Sequence, residues 1–291
     1  MTELALVLLG GLNFGAIYAL AALGIVLIHK ATKTVNFAHG AFVLIGALGA
    51  YIVQVQLSWS AWLAYLLVPP AVGALAALIE LVLLRPLRRA DAFSVVIATV
   101  FLGIALSEGV RLIYNAELLT VPSPFQGAPF LIGPVILTRE VLWTVAGSLL
   151  IGIGTTLAFR RARVARGMRA MAANHRGAQL CGYSVDRTYA LAWFLGGALA
   201  GVAGVFAAPA KGISPDLPIA VIAAAFVAAV VGGFDSLKGA VAGGLLLGVV
   251  ETLAAAYGDS ALKNAISFML LFVVMLYRPE GLFPEVKTRH V

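Results

Sequence analysis

The sequence predicts an all-α, single-domain protein that crosses a lipid bilayer many times. Hydrophobic residues make up 62% of its 291 residues and charged residues 11%, against about 25% charged residues in soluble domains. Apolar runs follow one another in series, each near the roughly 20 residues that a helix needs to cross a bilayer. The runs are continuous, whereas strands of a transmembrane β-barrel alternate in polarity over about 10 residues. We therefore expect a polytopic helical membrane domain over residues 1–291.

The apolar runs predict eight or nine spans. They cover residues 4–28, 37–57, 61–84, 92–113, 141–159, 188–208, 218–233, 239–257 and 262–277. The run at 218–233 is short for a crossing, so it is either a ninth span or a re-entrant segment. Because no basic residues precede the first run and it has no clear small-residue cleavage site, we interpret it as a retained span rather than a signal peptide.

Basic residues set the orientation of the spans. With nine spans, one side receives Lys30, Lys33, Arg85, Arg88, Arg89, the segment 160–187, Arg278, Lys287 and Arg289. By the positive-inside rule this side is the cytoplasm and the amino terminus lies outside.

Glycines recur within the spans at a spacing that brings small residues onto one helix face. The pairs are Gly11 with Gly15, Gly197 with Gly201, and Gly244 with Gly248. Lipid gives helices little hydrophobic drive to associate, so small residues favour association by letting backbones approach closely. We interpret the pairs as packing positions; a bundle whose helices slide or rock is the alternative.

Polar side chains inside spans are costly in lipid and are therefore candidates for a translocation pathway. The candidates are Asn13, Tyr18, Asn36, His39 and Glu251. Glu251 has no basic neighbour in its own helix, so it either pairs with another helix or lines a wet cavity. His39 either titrates near neutral pH or is a structural residue at a helix start. Four charged residues near span ends are interpreted as structural: Glu80, Arg85, Glu108 and Arg111.

No motif of an enzyme active site is present in the sequence. The chain has no phosphate-binding loop and no HExxH, CxxC or GxSxG motif, and its single cysteine, Cys181, cannot form an internal disulfide. We expect no catalytic residues, cofactor or metal site. A nucleic-acid partner is not expected either, because no aromatic residues interleave with the arginines and membrane spans flank them.

The segment from Arg160 to Arg187 has seven arginines and one carboxylate between two apolar runs. We predict a cytoplasmic loop with one helix from Arg166 to Cys181, ended by Gly182. Its Met/Ala face would carry Met168, Met171, Ala172, His175 and Gln179, and its opposite face Arg166, Arg169, Ala173 and Arg176. Ser184 or Asp186 is expected to cap the next span.

The Met/Ala face suggests a docking function for this loop. Methionine adapts its shape at binding surfaces, so the face suits a groove on a partner protein. The alternative is a basic surface helix that is held by anionic lipid.

Three blocks of the sequence resemble the permeases of branched-chain amino acid ABC importers. They read GLNFGAIYALAALGIVLIHKATKTVNFAHGAFVLIGALGAY, RGMRAMAANHRGAQLCGYSVDRTYALAWFLGGALAGVAGVF and AAFVAAVVGGFDSLKGAVAGGLLLGVVE. The blocks cover about half of the chain and keep the family's order. Asp235 stands where the family commonly has glycine, a change that we expect the turn to tolerate.

The resemblance implies a permease subunit in a bacterial cytoplasmic membrane. It would import branched-chain or other hydrophobic amino acids, or similar small amphipathic compounds, by alternating access. The family's coupling helix, which inserts into an ATPase subunit, matches Arg169, Ala172, Asn174 and Gly182 here. Their neighbours Arg166, Met168, Met171 and His175 complete the predicted coupling site.

The resemblance also implies partners. They are a second permease subunit, identical or related, two cytoplasmic ATPases that hydrolyse ATP, an external solute-binding protein, and membrane lipid. The alternative from another functional class is a secondary transporter coupled to protons or sodium, with Glu251 or His39 in the relay. That transporter needs no ATPase.

Overall fold

A computed structural model describes residues 2–114, 118–125, 127–132, 135–258 and 262–284. Within these ranges the helices are α1 (Thr2–Thr32), α2 (His39–Tyr51), α3 (Ala61–Ile79), α4 (Ala92–Tyr114), α5 (Arg139–Arg161), α6 (Arg163–Ala173), α7 (His175–Leu180), α8 (Val185–Lys211), α9 (Leu217–Gly232), α10 (Leu237–Tyr257) and α11 (Leu262–Tyr277). Two π-helical turns, Ile52–Gln56 and Glu80–Leu84, continue α2 and α3. A 3-10 turn, Pro86–Arg89, follows.

The prediction of an all-α polytopic membrane protein is confirmed. In the described ranges, seven helices are long and apolar enough to cross a membrane. They are α1, α2 with its π turn, α3 with its π turn, α4, α5, α8 and α10. Two apolar helices are shorter, α9 and the part of α11 from Ala265 to Tyr277. These helices correspond in order to the predicted apolar runs.

The first helix lies at the centre of the bundle. Every residue of α1 from Gly15 to Ile28 is buried, because α5, α8, α9 and α10 pack around it. A helix that is apolar on all sides has no face to offer to water and is stable only when other helices or lipid surround it. The sequence of α1 therefore suits its central place.

Two of the predicted glycine pairs pack against each other, which brings the backbones of α1 and α10 into contact. A Cβ atom added at Gly248 would lie 2.3 Å from Gly15 Cα, and one added at Gly15 would lie 2.9 Å from the Gly244 carbonyl oxygen. In the third pair, a Cβ atom at Gly201 would lie 3.0 Å from Pro69 Cα in α3. The packing interpretation of these glycines is therefore supported by direct contact.

We expect Gly248→Ala to lower the thermal unfolding temperature of the purified protein. The new methyl group meets backbone atoms of α1, which cannot move aside as a side chain can, and overpacking of this kind typically costs about 1–3 kcal/mol. Gly154→Ala in α5 is the matched control, because nothing lies within 4 Å of a Cβ atom there. Equal unfolding temperatures for the two variants would contradict the proposed contact.

The second helix begins inside the bundle rather than at its surface. A Cβ atom added at Gly24 would lie 2.4 Å from the His39 ring, so the first residue of α2 packs against α1 at that level. Gly24 lies eight residues before the end of α1, which is about 12 Å along a helix axis. Residues 33–38 therefore lead inward from the end of α1, and α2 starts later than the predicted span at 37–57.

A β-hairpin between α4 and α5 was not predicted. Its strands, β1 (Phe130–Ile132) and β2 (Val135–Leu137), pair antiparallel with Phe130 opposite Leu137. Each strand has three residues, which is too short for an alternating pattern to be recognised. An isolated bridge also joins Leu119 to Ile213, so this connection is tied to the residues that follow α8.

The basic connections meet at one end of the bundle. Lys33 forms an ion pair of 2.9 Å with Asp235, which lies between α9 and α10. Arg85, after α3, pairs with Asp186 at the start of α8. The residues after α11 reach the same end, where the Leu282 N–H donates to the Val231 carbonyl oxygen. This arrangement agrees with the predicted orientation, and we call this end the cytoplasmic end.

Candidate functional site

A polar network inside the membrane domain joins four helices. Tyr18 in α1 donates a hydrogen bond of 3.0 Å to Glu251 in α10, and Ser267 in α11 donates one of 2.7 Å to the same carboxylate. Lys211, at the end of α8, donates one of 3.0 Å to the Tyr18 hydroxyl. Its Nζ atom also lies 4.6 Å from the centre of the Tyr18 ring. Tyr18 and Glu251, two of the predicted pathway residues, are thus brought together.

The network borders a cavity between α9, α10 and α11. The cavity has a volume of about 420 Å³. Glu251 and Ser267 line it together with Asp216, which precedes α9, and the rest of its wall is apolar. The wall residues of α9 are Ile219, Ala220, Ala223, Ala224 and Val227. Glu251 therefore pairs with other helices, as the first alternative predicted, and it also lines a cavity.

The other predicted pathway residues lie away from this cavity lining. Asn36 closes the turn before α2, where its side-chain oxygen accepts a hydrogen bond of 2.9 Å from the Ala38 N–H. His39 is fully buried, and among the residues that the structure describes neither of its ring nitrogens has a hydrogen-bond partner of good geometry. Asn13 lies five residues before Tyr18 in α1, and its buried side-chain oxygen has no partner of good geometry.

Lys211, Ser267 and Asp216 were not predicted as functional residues. The signal for Lys211 was its position as a lone charge just after the apolar run that ends at 208. Ser267 carries no such signal, because a serine in an apolar helix usually bonds its own backbone. Only the packing of α11 against α10 reveals its contact with Glu251.

The basic segment forms two helices, so the prediction of one helix from Arg166 to Cys181 is wrong. Asn174 separates α6 from α7 and caps α7, accepting a hydrogen bond of 2.8 Å from the Gly177 N–H. A side chain that bonds the backbone in this way favours a helix start over a helix interior. Two predicted helix boundaries are correct. Gly182 follows α7 with a φ of 85°, and Ser184 caps α8.

The prediction that the Met/Ala face is free to contact a partner is wrong for its two methionines. Met168 is fully buried and Met171 is 2% exposed, because α6 packs against α1, α5 and α8 of the same chain. Ala172 is half-buried. Helical periodicity showed that the two methionines share a face with each other, but it did not show whether this chain or a partner covers them. The side chain of His175 lies outside the described part of the structure.

The opposite face of the segment is the one exposed at the cytoplasmic end. It presents Arg166, Arg169, Ala173, Asn174 and Arg176, and Gln179, which was predicted on the Met/Ala face, is exposed as well. Leu180, at the end of α7, is 86% exposed, and Cys181 and Gly182 beside it are exposed too. We call these exposed side chains of α6, α7 and residues 181–182 the outer face of the basic segment.

A group of ion pairs connects the basic segment to the third helix. Asp186 accepts from Arg85 and Arg88, and Arg88 also donates to Glu80 in the π turn after α3. The Arg88 guanidinium lies 4.8 Å from the centre of the Tyr189 ring in α8. Glu80 and Arg85, interpreted from the sequence as structural, are thus both ion-paired, Glu80 with Arg88 and Arg85 with Asp186. These residues line a cytoplasmic cavity of about 670 Å³.

The turn between α9 and α10 accepts Asp235 without strain. The left-handed backbone there falls on Gly233, with a φ of 110°. Partial burial raises the pKa of the Asp235 carboxyl, but the hydrogen bond from Lys33 and the charges of Lys33, His29 and Lys30 outweigh it, so that the pKa is lower than usual. Asp235 therefore serves to fasten this turn to the end of α1.

The chain is similar to known transport proteins over nearly its whole length. A family described as the permease component of the branched-chain amino acid transport system matches residues 7–275. The high-affinity branched-chain amino acid transport system permease protein LivH of Escherichia coli strain K12 is 32% identical, over 95% of this chain and 95% of that protein. The protein of the same description named BraD, from Pseudomonas aeruginosa, is 33% identical over 96% of each chain.

One solved structure shares the fold. A chain of PsaBC from Streptococcus pneumoniae in complex with Fab aligns with a TM-score of 0.51 at 13% identity. The alignment covers 96% of this chain and 93% of that chain. The similarity extends over the whole helical bundle.

Proposed function

The chain belongs to the family of branched-chain amino acid transport system permease components, and on that premise we propose that it is the membrane-spanning subunit of an ATP-driven importer. Its substrates would be branched-chain or other hydrophobic amino acids. The relatives that match it over their whole length, LivH and BraD, are named for transport of branched-chain amino acids. The multi-pass helical fold suits a bacterial inner membrane.

ATP hydrolysis is assigned to partner subunits that dock on the outer face of the basic segment. The observation that carries this assignment is Leu180, a large apolar side chain that is 86% exposed at the cytoplasmic end. Lipid covers exposed apolar side chains within the membrane, but Leu180 lies in a loop rich in arginine. Protein interfaces combine apolar side chains at their centre with a polar rim and are enriched in arginine, and Leu180 with the arginines of the outer face offers this composition to a partner.

The cavity beside Glu251 is proposed as part of the translocation pathway. It combines an aliphatic wall on α9 with the carboxylates of Glu251 and Asp216. Such a lining matches an amino acid, which has an ammonium group and, in this substrate class, an aliphatic side chain. Small-molecule sites in general combine an apolar wall with a few polar groups that fix the orientation of the ligand.

Alternating access is supported by the way in which α1, α9 and α10 pack. A Cβ atom added at Gly243 in α10 would lie 2.2 Å from the Ala228 carbonyl oxygen in α9. Interfaces between smooth, small-residue faces let helices shift as bodies without side chains having to disengage. The proposed assembly contains a second permease, two ATPases and an external solute-binding protein that delivers the substrate.

We expect Leu180→Asp to prevent co-purification of the ATPase subunits under mild detergent and to abolish uptake. The substitution places a charge where an apolar contact is proposed, and the side chain is too exposed in this chain for the fold to suffer. Leu131→Asp is the matched control, since Leu131 is 73% exposed on β1 at the opposite end. Retention of the ATPases by Leu180→Asp at the level of the control would overturn the docking assignment.

A further inference from the structure

An apolar groove runs between α5 and α8 near the cytoplasmic end, apart from the cavity beside Glu251. It has a volume of about 420 Å³. The wall is aliphatic and aromatic apart from one threonine, and it consists of Leu27, Thr155, Ala158, Phe159, Ala162, Val164, Ala165, Leu195, Ala198, Leu199 and Val202. Four of these residues are alanines, which leave the space that larger side chains would fill.

Three arginines lie near the cytoplasmic end of this groove. Arg160 and Arg161 are exposed at the end of α5, directly beside the wall residues Phe159 and Ala162. The Arg169 guanidinium lies 5.9 Å from the centre of the Phe159 ring. Among the residues that the structure describes, Arg160, Arg161 and Arg169 form no ion pair with a carboxylate. Their charges are therefore available to a ligand.

We propose that this groove binds one anionic phospholipid of the cytoplasmic leaflet, with an acyl chain between α5 and α8 and the phosphate among these arginines. The apolar wall cannot select the lipid, because every acyl chain is as apolar as the bilayer it leaves. Selection must come from the head group, and basic pockets between helices on the cytoplasmic side attract anionic head groups. A zwitterionic lipid of the same chain length would fit the groove but gain little from the arginines.

A lipid bound in this groove would stabilise the position of α6 in the basic segment. Ala162, Val164 and Ala165 of the groove wall include the junction at which α5 ends and α6 begins. A lipid held there would hold α6 in place against α5 and α8. This role does not involve the transported substrate.

The test uses the full chain in nanodiscs and phosphatidylglycerol or phosphatidylcholine with a photoactivatable group at the end of one acyl chain. We expect phosphatidylglycerol to label peptides of α5 and α8 at the groove at least about tenfold more than phosphatidylcholine, which corresponds to about 1.4 kcal/mol. Arg160→Gln with Arg161→Gln should remove most of this preference. Ala158→Trp, which fills the groove, should remove the labelling itself.

Two control variants are labelled in the same way. Ala105→Trp places the same bulk on an exposed position of α4, and it should leave labelling of the groove unchanged. Arg111→Gln removes a cation from the opposite end and should leave the preference unchanged. Equal labelling by both lipids, or a preference that survives the arginine substitutions, would overturn the proposal. Loss of labelling when partner subunits are present would also overturn it, since a protein would then occupy the groove.

Discussion

Replacing Arg88 with methionine is expected to cause a large loss of stability and to disturb coupling. Arg88 holds Glu80, whose side chain is 2% exposed, and also Asp186 in the basic segment. Removing one partner of a buried ion pair leaves an uncompensated charge and typically costs about 3–5 kcal/mol. We therefore expect Arg88→Met to lower the unfolding temperature in detergent strongly, or to prevent recovery of folded protein.

The double variant Arg88→Met with Glu80→Gln should recover most of this loss, because the stranded charge is then removed. Arg111→Met is the matched control. Its partner Glu108 lies 3.0 Å away and is 49% exposed, and exposed pairs contribute only about 0–1 kcal/mol. If Arg88→Met and Arg111→Met are equally stable, the buried pair does not have the importance we assign to it.

A milder substitution separates coupling from stability. Asp186→Asn weakens the contact between α8 and Arg88 while leaving the buried Glu80 paired. If this contact transmits motion from the basic segment to α3, the variant should still bind its ATPase subunits and hydrolyse ATP. The amount of substrate imported for each ATP hydrolysed should then fall. An unchanged ratio of uptake to hydrolysis would mean that the ion pairs only stabilise the fold.

Glu251→Gln is expected to lower uptake by at least about tenfold, equivalent to about 1.4 kcal/mol, while the ATPases remain bound. The amide has nearly the size of the carboxylate, so the helices should pack as before. It lacks the negative charge beside the cavity, and hydrogen bonds to a charged group are about twice as strong as neutral ones. Uptake of labelled leucine by cells or proteoliposomes measures the effect.

Glu108→Gln is the control for this substitution, because it removes a carboxylate from an exposed ion pair at the end of α4. Its uptake should equal that of the unmodified protein. Normal uptake by Glu251→Gln would exclude the network from the pathway and leave it a structural role.

The features that sequence reasoning predicted correctly are those that depend on one segment at a time. Apolar length predicted the helices, because a bilayer imposes a minimum span. The spacing of Gly11 with Gly15 and of Gly244 with Gly248 predicted interface positions, although each pair alone did not reveal that it meets the other. The end of α7 before Gly182 and the start of α8 at Ser184 followed from local capping chemistry.

What sequence reasoning missed depends on contacts between distant segments. Met168 and Met171 do lie on one helix face, as predicted. We assigned that face to a partner protein, because nothing in the local sequence shows that α1, α5 and α8 of the same chain cover it. Two hydrogen-bond partners of Glu251, Tyr18 and Ser267, come from two other helices, α1 and α11, and Ser267 resembles any other serine in an apolar run. Helix starts inside the bundle, as at His39, follow from packing rather than from hydropathy.

The central claim is that ATP hydrolysed by docked partners drives this chain as an importer. Its most direct test is uptake of labelled leucine into proteoliposomes that contain the chain with its co-purified subunits. Binding protein is supplied on one side, ATP on the ATPase side, and ionophores collapse all ion gradients. We predict uptake that requires ATP and persists without gradients. Gradient-driven uptake by this chain alone, without ATP, would contradict the account.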